Sequence, residues 1–241
     1  MAREAFGVTV VGAGNVRCGA PVLASLATLF PDSRLRVTLF DANEERLDLF
    51  HRLGVRLFEN WNKEGTILAS SDLTEALEGA DAVILCPSED CARRMTGPLS
   101  IRVLAAFEEE RLDAWEMRRG DRNRPTRPDQ LSEQTRQMLT VPAPDDRDRE
   151  LVLQQAIAQV LEGLPTETPL LSLMRGVILP EGRAHTFLNW PAPIPEDRQA
   201  FVPHQILRWI YGDEPMDDLV EAGRANPCRA WLEAVASESR A

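Results

Sequence analysis

Lysine is almost absent from this 241-residue chain: Lys63 stands alone against 26 arginines. An enzyme using lysine as its general acid or base has to bring that single residue to the reaction centre. Tyrosine is equally scarce, and Tyr211 has Pro215 where a Tyr-x-x-x-Lys pair needs its lysine, which excludes that pairing. The cysteines at 18, 86, 91 and 228 form no C-x-x-C, and His51, His185 and His204 add no metal-ligand spacing, so no structural zinc is expected. No stretch approaches the roughly 18 consecutive apolar residues of a membrane span. Met1-Ala2-Arg3-Glu4 leads straight into an apolar run without a signal-peptide layout, from which a cytoplasmic protein with no membrane partner is expected. A net charge of −11 supplies no basic face for nucleic-acid phosphates.

What the chain does contain is concentrated at its start. The apolar run Phe6 to Val11 breaks into Gly12-Ala13-Gly14-Asn15, and a second run, Leu35 to Phe40, ends at Asp41. Strand, glycine turn, helix, strand and acid in that order are the parts of a dinucleotide site. Gly12 lets the chain turn sharply off the strand, Gly14 lets the backbone approach a pyrophosphate, and the helix that follows aims free N–H groups at the anion. Asp41 is placed to accept bonds from a ribose diol, and its carboxylate disfavours a 2′-phosphate, so NAD is preferred to NADP. Arg46 nearby works against that preference. The third glycine of G-x-G-x-x-G is replaced by Arg17, with Gly19 two residues later, and the breaker Pro31-Asp32-Ser33 lengthens the path to Asp41. Read without a ligand, the same turn is only a structural feature of the sheet.

Periodicity carries the pattern further. Glu44 to Phe58 reads as an amphipathic helix, Thr66 to Ala69 as a strand, Ser71 to Leu77 as a short helix capped by Ser71 or Asp72, and Ala82 to Cys86 as a strand buried on both faces. Residues 108–149 are dense in arginines and acids and are interrupted by Pro125, Pro128, Pro142 and Pro144; they read as an exposed insertion in preference to a binding arm. Helical pieces fit 101–117 and 130–139 within or beside it. Helical periodicity resumes from Leu151 to Leu161. Strands are expected at 169–174 and 184–190, and because no helix separates them the sheet edge is expected to be mixed. Helices follow near 201–211, 216–223 and 228–235. The fold class is α/β, a Rossmann-like doubly wound, mostly parallel sheet in residues 1–195 with a helical C-terminal appendage in 196–241.

The segments Val8 to Asn15, Val37 to Leu47 and Thr74 to Ile84 resemble the nucleotide-binding half of the family 4 glycoside hydrolases and, more distantly, the lactate/malate dehydrogenases. The resemblance covers roughly residues 6–90. It implies a Rossmann domain binding NAD, with Gly12, Gly14 and Asn15 at the pyrophosphate and Asp41 at the adenosine ribose. Ala42, beside Asp41, and Cys86, Pro87 and Ser88, at the end of the fourth strand, are further candidates for cofactor binding. Beyond residue 90 the resemblance ends: no Cys-His metal set follows, and the one tyrosine lies in a late helix. Cys86 reads as a small core residue in preference to a nucleophile.

Two functions compete. In the first the chain is an NAD-dependent oxidoreductase acting on a small polar substrate, with His204 or Glu89 as acid/base, His204 because histidine is the side chain suited to proton transfer near neutral pH. In the second it is a non-catalytic dinucleotide-binding or scaffold protein that has lost the catalytic half of a family 4 glycosidase-like ancestor. The apolar residues Phe201, Ile206, Leu207, Trp209 and Ile210 either cover the sheet or form a homodimer seam. No residue set specifies a substrate.

Overall fold

The computed structural model describes residues 5–15, 18–29, 34–61, 64–97, 144–165, 167–173, 185–187, 203–212 and 215–238. Six strands form one sheet: β1 (Phe6–Val11), β2 (Leu35–Phe40), β3 (Gly65–Ser70), β4 (Ala82–Leu85), β5 (Leu170–Ser172) and β6 (His185–Phe187), in the order β3-β2-β1-β4-β5-β6. Every pairing is parallel, with Val8 beside Val37 on one flank of β1 and beside Ala82 on the other. The chain runs outwards from β1 through β2 to β3, then returns to β4 on the opposite side of β1, which leaves a crevice at the carboxyl ends where the winding reverses.

Side chains alternate faces along each strand. Val8, Val10, Val37, Leu39, Ala82 and Ile84 face a core built with α1 (Gly19–Thr28) and α2 (Glu44–Asn60). Val11, Phe40, Val83 and Leu85 face a second core containing residues of α3 (Leu73–Leu77), α4 (Glu89–Thr96) and α5 (Pro144–Glu162). Helix α3 is capped by Asp72, whose side chain accepts from the Glu75 N–H. Helix α1 starts only at Gly19, because residues 12–15 are spent on the turn. Helix α5 extends back to Pro144, seven residues before its apolar periodicity begins; proline suits a first helical position, where its missing N–H leaves no bond unmade.

The expected mixed edge is corrected. Strand β6 runs parallel to β5, with Leu170 beside His185 and Ser172 beside Phe187. Residues 173–184 lie between them, about the dozen residues a crossover connection needs, so the absence of a helical signal does not force a hairpin. The pieces expected at 101–117 and 130–139, along with Arg17 and Lys63, lie outside the described residues.

Helix α1 is apolar all round because it is covered all round: every residue from Gly19 to Ala27 is buried. The sheet covers one side. The other meets α7 (Asp217–Arg224) and α8 (Pro227–Glu238) from the far end of the chain, while α6 (Pro203–Tyr211) packs on α2; Ile206, Trp209, Leu219 and Leu232 lie in the same core. The Ser25 hydroxyl donates to the Gly223 carbonyl at 2.7 Å. Of the late apolar residues, Ile206 and Trp209 are buried, whereas Leu207 is 42% exposed and Tyr211 64%. A Cβ at Gly223 would sit 2.6 Å from both the carbonyl carbon and the Cβ of Ala24. Gly223→Val therefore overpacks the α1–α7 crossing and should cost about 1–3 kcal/mol, read as a lower urea midpoint with an unchanged m-value.

Candidate functional site

At the end of β1 the chain turns at Gly12, whose φ of +81° lies in the left-handed region. A side chain is doubly excluded there, since a Cβ would fall on the backbone of Pro87. The N–H groups of Gly12 and Ala13 both donate to the Phe40 carbonyl, at 2.8 and 3.0 Å, tying the turn to the end of β2. Asn15 ties it to β4: its side-chain amide donates to the Cys86 carbonyl at 2.8 Å, and its backbone N–H to Gly12 at 3.0 Å. Gly19 N–H then bonds the Asn15 carbonyl at 2.7 Å and opens α1.

Gly19 resolves the irregular glycine spacing. A Cβ at Gly19 would collide with the Ala13 carbonyl oxygen and lie 2.8 Å from the Phe50 ring. Close packing of helix on turn, the task of a third glycine, is therefore met at position 19.

Asp41, just past the end of β2, is fully buried. Both carboxylate oxygens are committed: Oδ2 accepts from Gly14 N–H and Oδ1 from Asn43 N–H, each at 2.9 Å. The Cys91 thiol also bonds it. Burial pushes the Asp41 pKa up, against the two backbone bonds, Cys91 and Arg46, which pull it down. Gly14 is shaped by this contact, because a Cβ there would lie 2.8 Å from Asp41 Oδ2 and 2.7 Å from Arg46 Cβ.

Asn43 caps α2, its Oδ1 accepting from Arg46 N–H, while its Nδ2 donates to Asp90 Oδ2 at 3.2 Å on α4. That bond, and behind it Arg94, hold the Asp90 carboxyl below its usual range. A cleft of about 380 Å³ opens beside this bridge, lined by Ala42, Asn43, Glu44, Glu45 and Arg94.

The sequence candidates thus fall into two groups. Gly12, Gly14, Asn15, Asp41, Ala42, Cys86, Pro87 and Ser88 converge on the carboxyl ends of β1, β2 and β4. Ser88 caps α4 by accepting from Cys91 N–H. Glu89 lies in the first turn of that helix and pairs with Arg93 at 2.9 Å. His204 lies in the first turn of α6, whose far end meets α2 through Arg56 donating to the Ile210 carbonyl. Burial raises the Cys86 pKa strongly and pushes that of Cys91 up to about 12, so both are thiols and not nucleophiles at neutral pH. Among the described residues no three His, Cys, Asp or Glu side chains form a metal-binding group.

Helix α4 and the cleft beside it were missed by apolar periodicity. Their signal is electrostatic: Ser88 as cap, acids at 89 and 90, and arginines four residues beyond each.

No protein-family model matches the chain, and no curated protein does. Solved structures similar to it include a 6-phospho-α-glucosidase from gut microorganisms in complex with NAD and Mn²⁺, at 16% identity and a TM-score of 0.41, with 72% of this chain and 33% of that one covered. A 6-phospho-β-glucosidase from Thermotoga maritima, with manganese, NAD⁺ and glucose-6-phosphate, is 12% identical with a TM-score of 0.42, covering 71% and 34%. The chain spans about a third of the length of these proteins.

Two outcomes follow for stability. Gly12→Ala should lose at least about 1–3 kcal/mol in denaturant titration, from backbone strain alone. For Asp41 the folded pKa lies above the unfolded one, so between the two values the folded chain binds more protons and stability falls as pH rises. Asp41→Asn removes that slope, so the advantage of the wild type over the variant should shrink as pH rises through the carboxylate range. At neutral pH the variant should still cost about 1–3 kcal/mol, since its amide turns an N–H towards a backbone N–H.

Proposed function

We propose that this chain binds NAD at the carboxyl edge of its sheet and acts as an oxidoreductase on a small polar substrate. The observation that carries the proposal is the left-handed turn at Gly12, set at the point where the sheet reverses its winding and closed over by Pro87. In an open α/β sheet this crevice receives ligands, and a glycine turn entering a helix receives a pyrophosphate. The acids Glu44 and Glu45 line the cleft beside Asp41, an arrangement that repels a 2′-phosphate and favours NAD over NADP.

A second reading, NAD binding without turnover, is favoured by the engagement of Glu89 with Arg93 on the α4 surface. Calorimetric titration of nucleotide-free protein with NAD, NADH, NADP and NADPH tests the site itself. Micromolar binding of NAD or NADH, with the phosphorylated forms at least tenfold weaker, is expected; no binding of any of the four overturns the proposal. Hydride transfer from a panel of sugars, sugar phosphates and hydroxy acids, followed at the NADH absorbance, then separates the oxidoreductase from the non-catalytic binder.

A further inference from the structure

The acid at the end of the second strand is the group expected to read the adenosine ribose of an NAD-type ligand. Here that acid is already spoken for. Asp41 is fully buried, each of its oxygens accepts a backbone N–H, and the Cys91 thiol lies against it. With no exposed surface and three of its roughly four acceptor positions taken by Gly14, Asn43 and Cys91, it reaches a diol only if the turn opens around it. The space against Gly14 is also filled by the Asp41 carboxylate and Arg46, so the contact is part of how the turn is built.

Immediately beside it lies the cleft of about 380 Å³ between the first turn of α2 and α4. Its size falls at the lower end of ligand pockets, about 300–1,000 Å³, which suits the nucleoside end of a dinucleotide and not the whole molecule. Its lining is chemically divided. Ala42 offers a small apolar surface, Arg94 a planar cation, and Glu44 and Glu45 two exposed carboxylates on the first turn of α2. Glu44 leans towards Ser71 at the end of β3, with 3.4 Å between its Oε1 and the Ser71 hydroxyl. Glu45 makes no hydrogen bond or ion pair among the described residues. Asp90 engages Arg94, so the cleft as a whole carries net negative charge.

We infer that the ribose diol is read in this cleft by Glu45, with Glu44 in support and Arg94 stacked on the adenine, and that Asp41 is a positioning residue that holds the glycine turn. The inference rests on the NAD-binding reading above and relocates its recognition step. A free carboxylate accepts both hydroxyls of a diol, and a guanidinium plane stacks on an aromatic base. Neither group has to break an internal bond of the turn to do so.

The experiment is fluorescence titration with NADH and NADPH of the full chain and of Glu45→Gln, Glu44→Gln/Glu45→Gln and Asp41→Asn, with a thermal melt of each. The wild type is expected to prefer NADH. Glu45→Gln should weaken NADH about tenfold and NADPH much less, with an unchanged melting temperature, and the double variant should go further in the same direction. Asp41→Asn should melt lower and weaken both nucleotides by the same factor, leaving their ratio intact. Wild-type affinity and selectivity in the double variant would overturn the inference, as would an Asp41→Asn protein that loses selectivity for NADH. Those outcomes leave NAD binding standing; a wild type that binds neither nucleotide removes the NAD-binding reading and this inference together.

Discussion

One buried carboxylate holds the carboxyl edge of this sheet together. Asp41 joins the glycine turn to the cap of α2 by accepting from Gly14 and Asn43, and through Cys91 it touches α4 as well. Three segments far apart in sequence meet on a group of a few atoms. A buried charge is costly unless its oxygens are satisfied, and the backbone donors around Asp41 supply that satisfaction. The turn, the start of α2 and the placement of α4 are consequently coupled. Asn43 extends the coupling by donating to Asp90 while it caps α2. The cleft beside Asp41 inherits its shape from this network, since Ala42, Asn43 and Arg94 line it.

Chemical roles at the edge divide accordingly. Gly12 and Gly14 are required by the protein's own backbone, one by its positive φ and the pressure of Pro87, the other by Asp41 and Arg46. The pattern of glycines and acid that reads as a ligand signature is thus also a folding requirement. The thiols of Cys86 and Cys91 fill space in the two cores and stay protonated.

Most of the sheet was legible in the sequence because β1 and β4 are buried apolar runs and β2 alternates buried apolar with half-buried positions, and the turn because Gly12 and Gly14 follow β1 directly. Asp41 was legible as a site residue but not as a buried one: sequence gives its position at the end of β2 and nothing of the donors that converge on it. Gly19 was visible only as a misplaced glycine until its contact with Ala13 explained the spacing. Helix α4 escaped because only Cys91 and Ala92 of its residues are buried, leaving no apolar stripe to detect. The direction of β6 escaped because three residues of strand carry no information about the path that leads to them.

The bond from Ser25 to Gly223 closes a loop of 198 residues. Helix α1 precedes by almost two hundred residues the late helices that pack against its outer side. During synthesis, at about 5–20 residues per second, the ribosome therefore extends a chain whose most apolar helix stays uncovered for roughly ten seconds or more. The first half of the sheet has its pairing partners by residue 85, so the delay falls on one helix and not on the strands. Premature termination before the late helices would leave the outer side of that helix bare, a binding surface for chaperones or for other incomplete copies.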